Sequence, residues 1–191
     1  MSGNVLAGNL DEFDGAYMMA RLVDYIVEHL SQQIKAGCDT VQVFDSWASD
    51  LGEEHIIPYC YEPTAQIVER LRALHPDVGI IVFPRLIGEE INNFSKYVNA
   101  DCISLSDDMK TDWILKRMGS QCLQGGIPPQ VLLSERKEEI IRGTVPMIRQ
   151  MKDCAYVVNL AHGINKETPV ENVKFFIEIV KRNRENITRE T

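Results

Sequence analysis

Short apolar runs, each followed or preceded by a stretch with helical spacing, recur along the whole chain, and this alternation most constrains the fold. The first helical stretch runs from about Ala16 to Ala36. It places Met19, Leu22, Val23, Ile26, Val27, Leu30 and Ile34 at intervals of three and four. Gly37 is a natural helix stop. Thr40-Val41-Gln42-Val43-Phe44-Asp45 follows, rich in β-branched and aromatic residues, and predicts a strand. The rhythm then repeats: helix over 62–74, strand from Val78 to Phe83, helix over 88–98, strand from Cys102 to Leu105, helix over 109–118. A weaker strand from Gln121 to Gln124, a helix over 134–151, a strand from Tyr156 to Leu160 and a helix over 169–183 complete it.

Strands that alternate with helices form parallel βα units. The apolar runs are too continuous for a sheet with one wet face. The expected fold is α/β, a partial (β/α)8 TIM-type barrel of about five parallel βα units. A complete barrel takes about 250 residues, and this chain has 191. Residues 1–15, with scattered Gly, Asn and Asp, read as an irregular N-terminal segment. Residues 16–185 form the body, and the charged end at 186–191 reads as frayed. No linker or low-complexity tract divides the body. Trp47, Phe83 and Phe94 are expected in the core.

The net charge of −8 argues against nonspecific nucleic-acid binding, which needs a basic surface. It leaves room for a locally basic site that takes an anionic small molecule. No run of about 18 apolar residues suggests a membrane span, and Met1 to Gly15 lacks a signal-peptide pattern. Cys38, Cys60, Cys102, Cys122 and Cys154 are odd in number and form no C-x-x-C pair. They read as reduced, buried thiols of a cytoplasmic protein, and their spacing offers no metal site.

In a parallel sheet, ligands meet the carboxyl ends of the strands. Those ends read here as Asp45-Ser46-Trp47, Pro84-Arg85, Ser106-Asp107-Asp108, Gln124-Gly125-Gly126 and Ala161-His162-Gly163. A hydroxyl, a cation, two carboxylates, a flexible turn and an imidazole together suit a polar or anionic ligand. Plainer roles stand beside each. Ser46 caps a turn, Arg85 is solvated, Asp107 and Asp108 cap the next helix, the two glycines make a turn, and His162 is structural. His55 and His75 lie in polar, exposed settings and His29 on the first helix, and none is assigned a catalytic role. G-x-S-x-G, H-E-x-x-H, Walker A and G-x-G-x-x-G motifs are all absent from the sequence.

Val158-Asn159-Leu160-Ala161-His162-Gly163-Ile164, then Thr168-Pro169 and Glu171-Asn172-Val173, resembles the C-terminal signature of uroporphyrinogen decarboxylase, N-L-G-H-G-I, P-x-T-P and E-N-V. Gln33-Ile34-x-Ala36-Gly37-x-Asp39 leading into Gln42-Val43-Phe44-Asp45-Ser46-Trp47-Ala48 resembles that family's Q-I-x-A-G-A-D and Q-x-F-D-S-W-A-G. Ile80-Ile81-Val82-Phe83-Pro84-Arg85 resembles its I-I-x-F-P-K, and Leu123-Gln124-Gly125 the start of its Q-G-N-L-D-P. The segments come in the family's order from about Tyr25 to Val180. The resemblance makes 16–185 the C-terminal portion of a (β/α)8 barrel.

The resemblance implies cofactor-free and metal-free removal of carboxylates from the four acetate arms of uroporphyrinogen III. The product is coproporphyrinogen III, on the route to haem and related tetrapyrroles. It implies that Ser46 and His162 bind substrate, and that the partner is a second copy or a complementary N-terminal chain. The family's R-Q-A-G-R motif and its ring-binding aspartate have no counterpart in this sequence, so no catalytic residue is assigned. Ala161 stands for the family glycine, Gly126-Ile127-Pro128 for N-L-D, and Ser49 for the glycine after F-D-S-W-A. Two readings follow: a decarboxylase portion that works with a complementary half, or a truncated, non-catalytic relative that binds an anionic ligand or acts as a scaffold. A corrinoid-linked methyltransferase would need His-x-Cys zinc spacing, which is absent.

Overall fold

The computed structural model describes residues 12–190, with side chains over 15–183. Residues 1–11 of the expected irregular segment 1–15, and the last residue, 191, lie outside them, while residues 12–15 are helical. Five parallel strands alternate with helices, the arrangement of a partial α/β barrel. The chain divides into two compact units, one up to Ile103 and one from Ser104 onward.

The first unit begins with α1 (Glu12–Lys35), whose start lies four residues before the sequence-based one. Val23, Val27 and Leu30 are buried at helical spacing. Leu22, expected on the same face, is 48% exposed. An α-helix rotates by about 100° per residue, so adjacent apolar positions such as Leu22 and Val23 point to different flanks. The helix closes at Gly37, whose φ is +109°. Gly37 N–H donates to Ile34 C=O (2.9 Å) and Cys38 N–H to Gln33 C=O (3.2 Å), the paired bonds of a Schellman cap.

β1 (Thr40–Asp45) follows and pairs in parallel along its whole length with β2 (Gly79–Pro84), Thr40 opposite Gly79 and Asp45 opposite Pro84. Between them lie the short α2 (Glu53–Ile56), a π-helical turn (Ile57–Tyr61) and α3 (Glu62–Leu74). The first residues of β3 (Cys102–Leu105) pair with β2, after a single helical turn at Gly88–Glu90 and α4 (Ile91–Val98). Val41, Val43, Ile80 and Val82 alternate along β1 and β2 on the buried face, with Val68, Leu71 and Phe94 from the helices. Phe83 and Phe94 are buried as expected, but Trp47 is 63% exposed. It sits on the turn after β1, beyond the pleated part of the strand. Cys38 is exposed too, just past the α1 cap.

The second unit holds α5 (Thr111–Met118), β4 (Cys122–Gly125), α6 (Lys137–Gln150), β5 (Tyr156–Val157) and α7 (Val170–Glu190). β4 and β5 pair in parallel, and beyond them an isolated bridge joins Ile127 to Leu160. β5 is therefore shorter than its apolar run. Beyond Val157 that bridge is the one further pairing with β4 among the described residues, and Asn159 Oδ1 accepts the Leu160 N–H (2.8 Å). Ile127, Leu132, Ile140, Phe176 and Ile179 make the core of this unit, with Val131, Met147, Leu160 and Val173 against it.

Candidate functional site

In the first unit the site-bearing segment is the turn after β1. The Asp45 carboxyl is largely buried, and burial holds its pKa above the ordinary carboxylate range. Two donors partly offset this: the Cys60 thiol and the Trp47 backbone N–H. The carboxyl therefore reaches past Ser46 and grips the next peptide. Its own carbonyl accepts the Arg85 N–H (3.0 Å), which ties the turn to the end of β2. Cys60 comes from the π-helical turn and is fully buried. Burial first, and the neighbouring Asp45 charge second, push its thiol pKa far up, so it stays protonated and serves as a donor.

Ala48, at the start of the following turn, is also buried. The result is a turn fixed on both sides while Ser46 and Trp47 stand exposed between the fixed points. Phe44, the penultimate residue of β1, is 65% exposed and meets Phe83 edge-on at 6.2 Å. Arg85 is half-buried at the end of β2. The π-helical turn is itself anchored: Tyr61 donates to Glu90 Oε2 (3.0 Å) and meets Phe94 edge-on at 5.2 Å.

In the second unit the strand ends are held mainly by backbone. Gly125 and Gly126 have φ of +81° and +86°, which side chains rarely adopt. A Cβ on Gly125 would meet the carbonyl oxygens of Leu105 (3.0 Å) and Leu160 (3.2 Å). Gly126 N–H donates to Leu105 C=O (3.0 Å), and the Tyr156 hydroxyl donates to Gly125 C=O (2.6 Å). Burial raises the Tyr156 pKa, which keeps that hydroxyl protonated. Gln124 Nε2 donates to Ser104 Oγ (3.3 Å) inside the unit.

Ala161 N–H donates to Ile127 C=O (2.8 Å), and His162 follows at once. The His162 ring is half-exposed and its Nδ1 lies 2.9 Å from Gly163 C=O. A carbonyl only accepts, so this contact puts a proton on Nδ1.

Several sequence expectations change. Asp107 and Asp108 are exposed, and the helix they were expected to cap begins after Lys110, with no side-chain cap. His75 is half-buried and meets Ser31 Oγ (3.0 Å), because the end of α3 packs on α1. His55 pairs with Glu54 (3.5 Å) and lies edge-on to Tyr59. Sequence reasoning missed Cys60 as the partner of Asp45. In Pro58-Tyr59-Cys60-Tyr61 that thiol reads like any core cysteine, and only the π-helical turn aims it. Among the described residues no group of three or more His, Cys, Asp or Glu could hold a metal ion. Nor, among the described residues, is any helix long and apolar enough to cross a membrane.

Ser46 follows β1 at its carboxyl end and His162 follows the last strand of the second unit, the positions where parallel βα proteins carry their ligand groups. The profile of the uroporphyrinogen decarboxylase family matches residues 11–183. The chain belongs to the uroporphyrinogen decarboxylase family. The uroporphyrinogen decarboxylase of Cereibacter sphaeroides is 31% identical over 166 residues, covering 86% of this chain and 48% of that protein. That of Orientia tsutsugamushi is 34% identical over 160 residues, 84% of this chain and 47% of its own length. That of Ruegeria pomeroyi is 32% identical over 176 residues, 92% of this chain and 50% of its own length. The chain thus spans about half the length of the curated relatives it matches.

Proposed function

We propose that the chain is the C-terminal portion of a decarboxylase barrel that acts on uroporphyrinogen III, and that it needs a complementary N-terminal half to complete the reaction. The observation that carries this reading is the family match over residues 11–183, with Ser46 and His162 at strand ends. Ser46 donates its hydroxyl to a substrate carboxylate. The His162 ring offers a further hydrogen-bonding group to a substrate carboxylate. Hydrogen bonds to charged groups are short and directional. The Asp45–Cys60 pair supports the same role by fixing the turn on which Ser46 stands.

Removal of a carboxylate leaves charge that positioned donors stabilise. The groups that do this are assigned to the complementary half, because no residue here matches the family's ring-binding aspartate. No metal or organic cofactor is part of the proposal. The partner is a second copy or, as favoured here, a complementary chain.

A second reading has one observation in its favour. The R-Q-A-G-R motif is absent, so the chain can instead be a non-catalytic relative that binds an anionic ligand or acts as a scaffold. Titration with uroporphyrin, the stable oxidised form of the substrate ring, tests the shared binding claim. Ser46→Ala and His162→Ala are each expected to weaken binding about tenfold, the loss of one hydrogen bond to a charged group. Equal affinity in wild type and both variants would remove the site from this pair of residues.

A further inference from the structure

Four arginines lie in the first unit, and among the described residues three of them are ion-paired: Arg21 and Arg70 with Asp24, and Arg72 with Asp101. Arg85 takes no acidic partner among them, although it is half-buried rather than solvated. A guanidinium drawn partly out of water is ordinarily matched by an anion. The carboxyl groups close to it along the chain or the ladder are otherwise engaged or turned to solvent. Asp45 accepts from the Cys60 thiol and the Trp47 N–H, and Glu90 accepts from the Tyr61 hydroxyl (3.0 Å). Glu89 is exposed on the turn that follows β2.

The end of the ladder sets Arg85 beside Ser46. β1 and β2 pair in register as far as Asp45 opposite Pro84, so the next pair is Ser46 and Arg85. The bonds of a parallel ladder slant, each N–H reaching the carbonyl one residue before its opposite number. The bond from Arg85 N–H to Asp45 C=O (3.0 Å) is the one that belongs to the Ser46–Arg85 pair. Its counterpart would come from Trp47 N–H, which the Asp45 carboxyl takes instead. The pairing stops half-made, with Ser46 and Arg85 on adjacent strands about 4.8 Å apart at their carboxyl ends. The chain then turns off at Leu86, whose φ of +57° lies in the left-handed region that side chains rarely adopt. Strain of this kind gathers where a fold must present a ligand group.

We propose that Arg85 is a further ligand-binding residue, and that it and Ser46 clamp one and the same carboxylate. The planar guanidinium fork matches the two oxygens of a carboxylate, and the hydroxyl of the neighbouring strand end completes the grip. In a chain of net charge −8, a local cation at a strand end is what draws an anionic arm to this edge. The clamp rests on the polycarboxylate ligand proposed above and adds the residue that supplies the opposite charge.

The test titrates the purified chain with uroporphyrin and reads the change in porphyrin fluorescence. Arg85→Gln, Arg85→Lys and the double variant Arg85→Gln, Ser46→Ala are compared with Arg149→Gln, which removes the same charge from the exposed last turn of α6. Circular dichroism confirms that each variant folds. Arg85→Gln should bind about 30-fold more weakly, the loss of hydrogen bonds from a charged group. Arg85→Lys keeps the charge without the fork and should lose only about fivefold. The control should bind as the wild type does. Because one carboxylate is shared, adding Ser46→Ala to Arg85→Gln should weaken binding by less than about threefold more, short of the tenfold expected for Ser46→Ala alone. Unchanged binding by Arg85→Gln, an equal loss in the control, or losses that multiply fully in the double variant overturn the clamp. So does an absence of saturable binding by the wild type. Weakening by Ser46→Ala but not by Arg85→Gln would strike the clamp and leave the substrate reading standing. The predicted binding pattern without decarboxylation on addition of a complementary half would count against the enzymatic reading alone.

Discussion

The turn that bears Ser46 and the loop that bears His162 are built on opposite principles. The first is held by side chains: the buried Asp45 carboxyl takes the Trp47 N–H and the Cys60 thiol, and Arg85 N–H closes onto the Asp45 carbonyl. The second is held by backbone. Two glycines at positive φ bring Leu105 and Leu160 carbonyls within touching distance, and His162 itself bonds only to the next residue's carbonyl. The Ser46 turn is thus pinned by side chains on both sides, whereas the His162 ring is half-exposed on a loop held by backbone bonds.

The comparison breaks most sharply at Gly125. Gly125→Val puts a branched side chain at φ +81° against two carbonyl oxygens, and urea unfolding should show a loss of about 3 kcal/mol. A loss below about 1 kcal/mol would mean that the backbone there is not constrained. Tyr156→Phe comes next. It removes the donor to Gly125 C=O and should cost about 1.5 kcal/mol, the price of orphaning a half-buried carbonyl.

Asp45→Asn has a smaller effect, and pH gives it a sign. Burial raises the folded Asp45 pKa above its unfolded value. Its stabilising share is therefore complete below the unfolded pKa and is lost as pH rises through the folded one. Asparagine keeps the acceptor for Trp47 N–H and never ionises. The stability of Asp45→Asn relative to wild type should rise from pH 3.5 to pH 7, measured by urea unfolding at each pH. A relative stability that falls over that range would contradict the buried-carboxyl account. The smallest effect is expected at His162. His162→Ala should change stability by less than about 0.5 kcal/mol while weakening uroporphyrin binding about tenfold. Uroporphyrin affinity unchanged in His162→Ala would take the imidazole out of the site.

Much of this was legible in the residues. β1, α3 and β3 lie where alternation and helical spacing put them, and Gly37 ends α1 as its position predicts. The strand-end positions of Ser46 and His162 were legible because both stand where apolar periodicity stops. What was hidden depends on aim rather than type. The side of α1 on which Leu22 falls is set by where α3 packs. Trp47 looks like a core residue until the Asp45 carboxyl captures its peptide. β5 reads as five residues and keeps two, with one isolated bridge beyond them, a difference that the apolar run does not announce. The partnership of Asp45 with Cys60 needs a π-helical turn that no residue pattern announces.

The central claim is that this chain supplies one portion of a decarboxylase barrel and works with the other. The most direct measurement incubates enzymatically generated uroporphyrinogen III with the chain alone, with the non-aligned part of the Cereibacter sphaeroides relative alone, and with both, and resolves products by carboxylate number. The account predicts products with fewer carboxylates only in the mixture, and their loss when Ser46→Ala and His162→Ala are combined. Decarboxylation by the chain alone, or none in a mixture shown to form a complex, would contradict it.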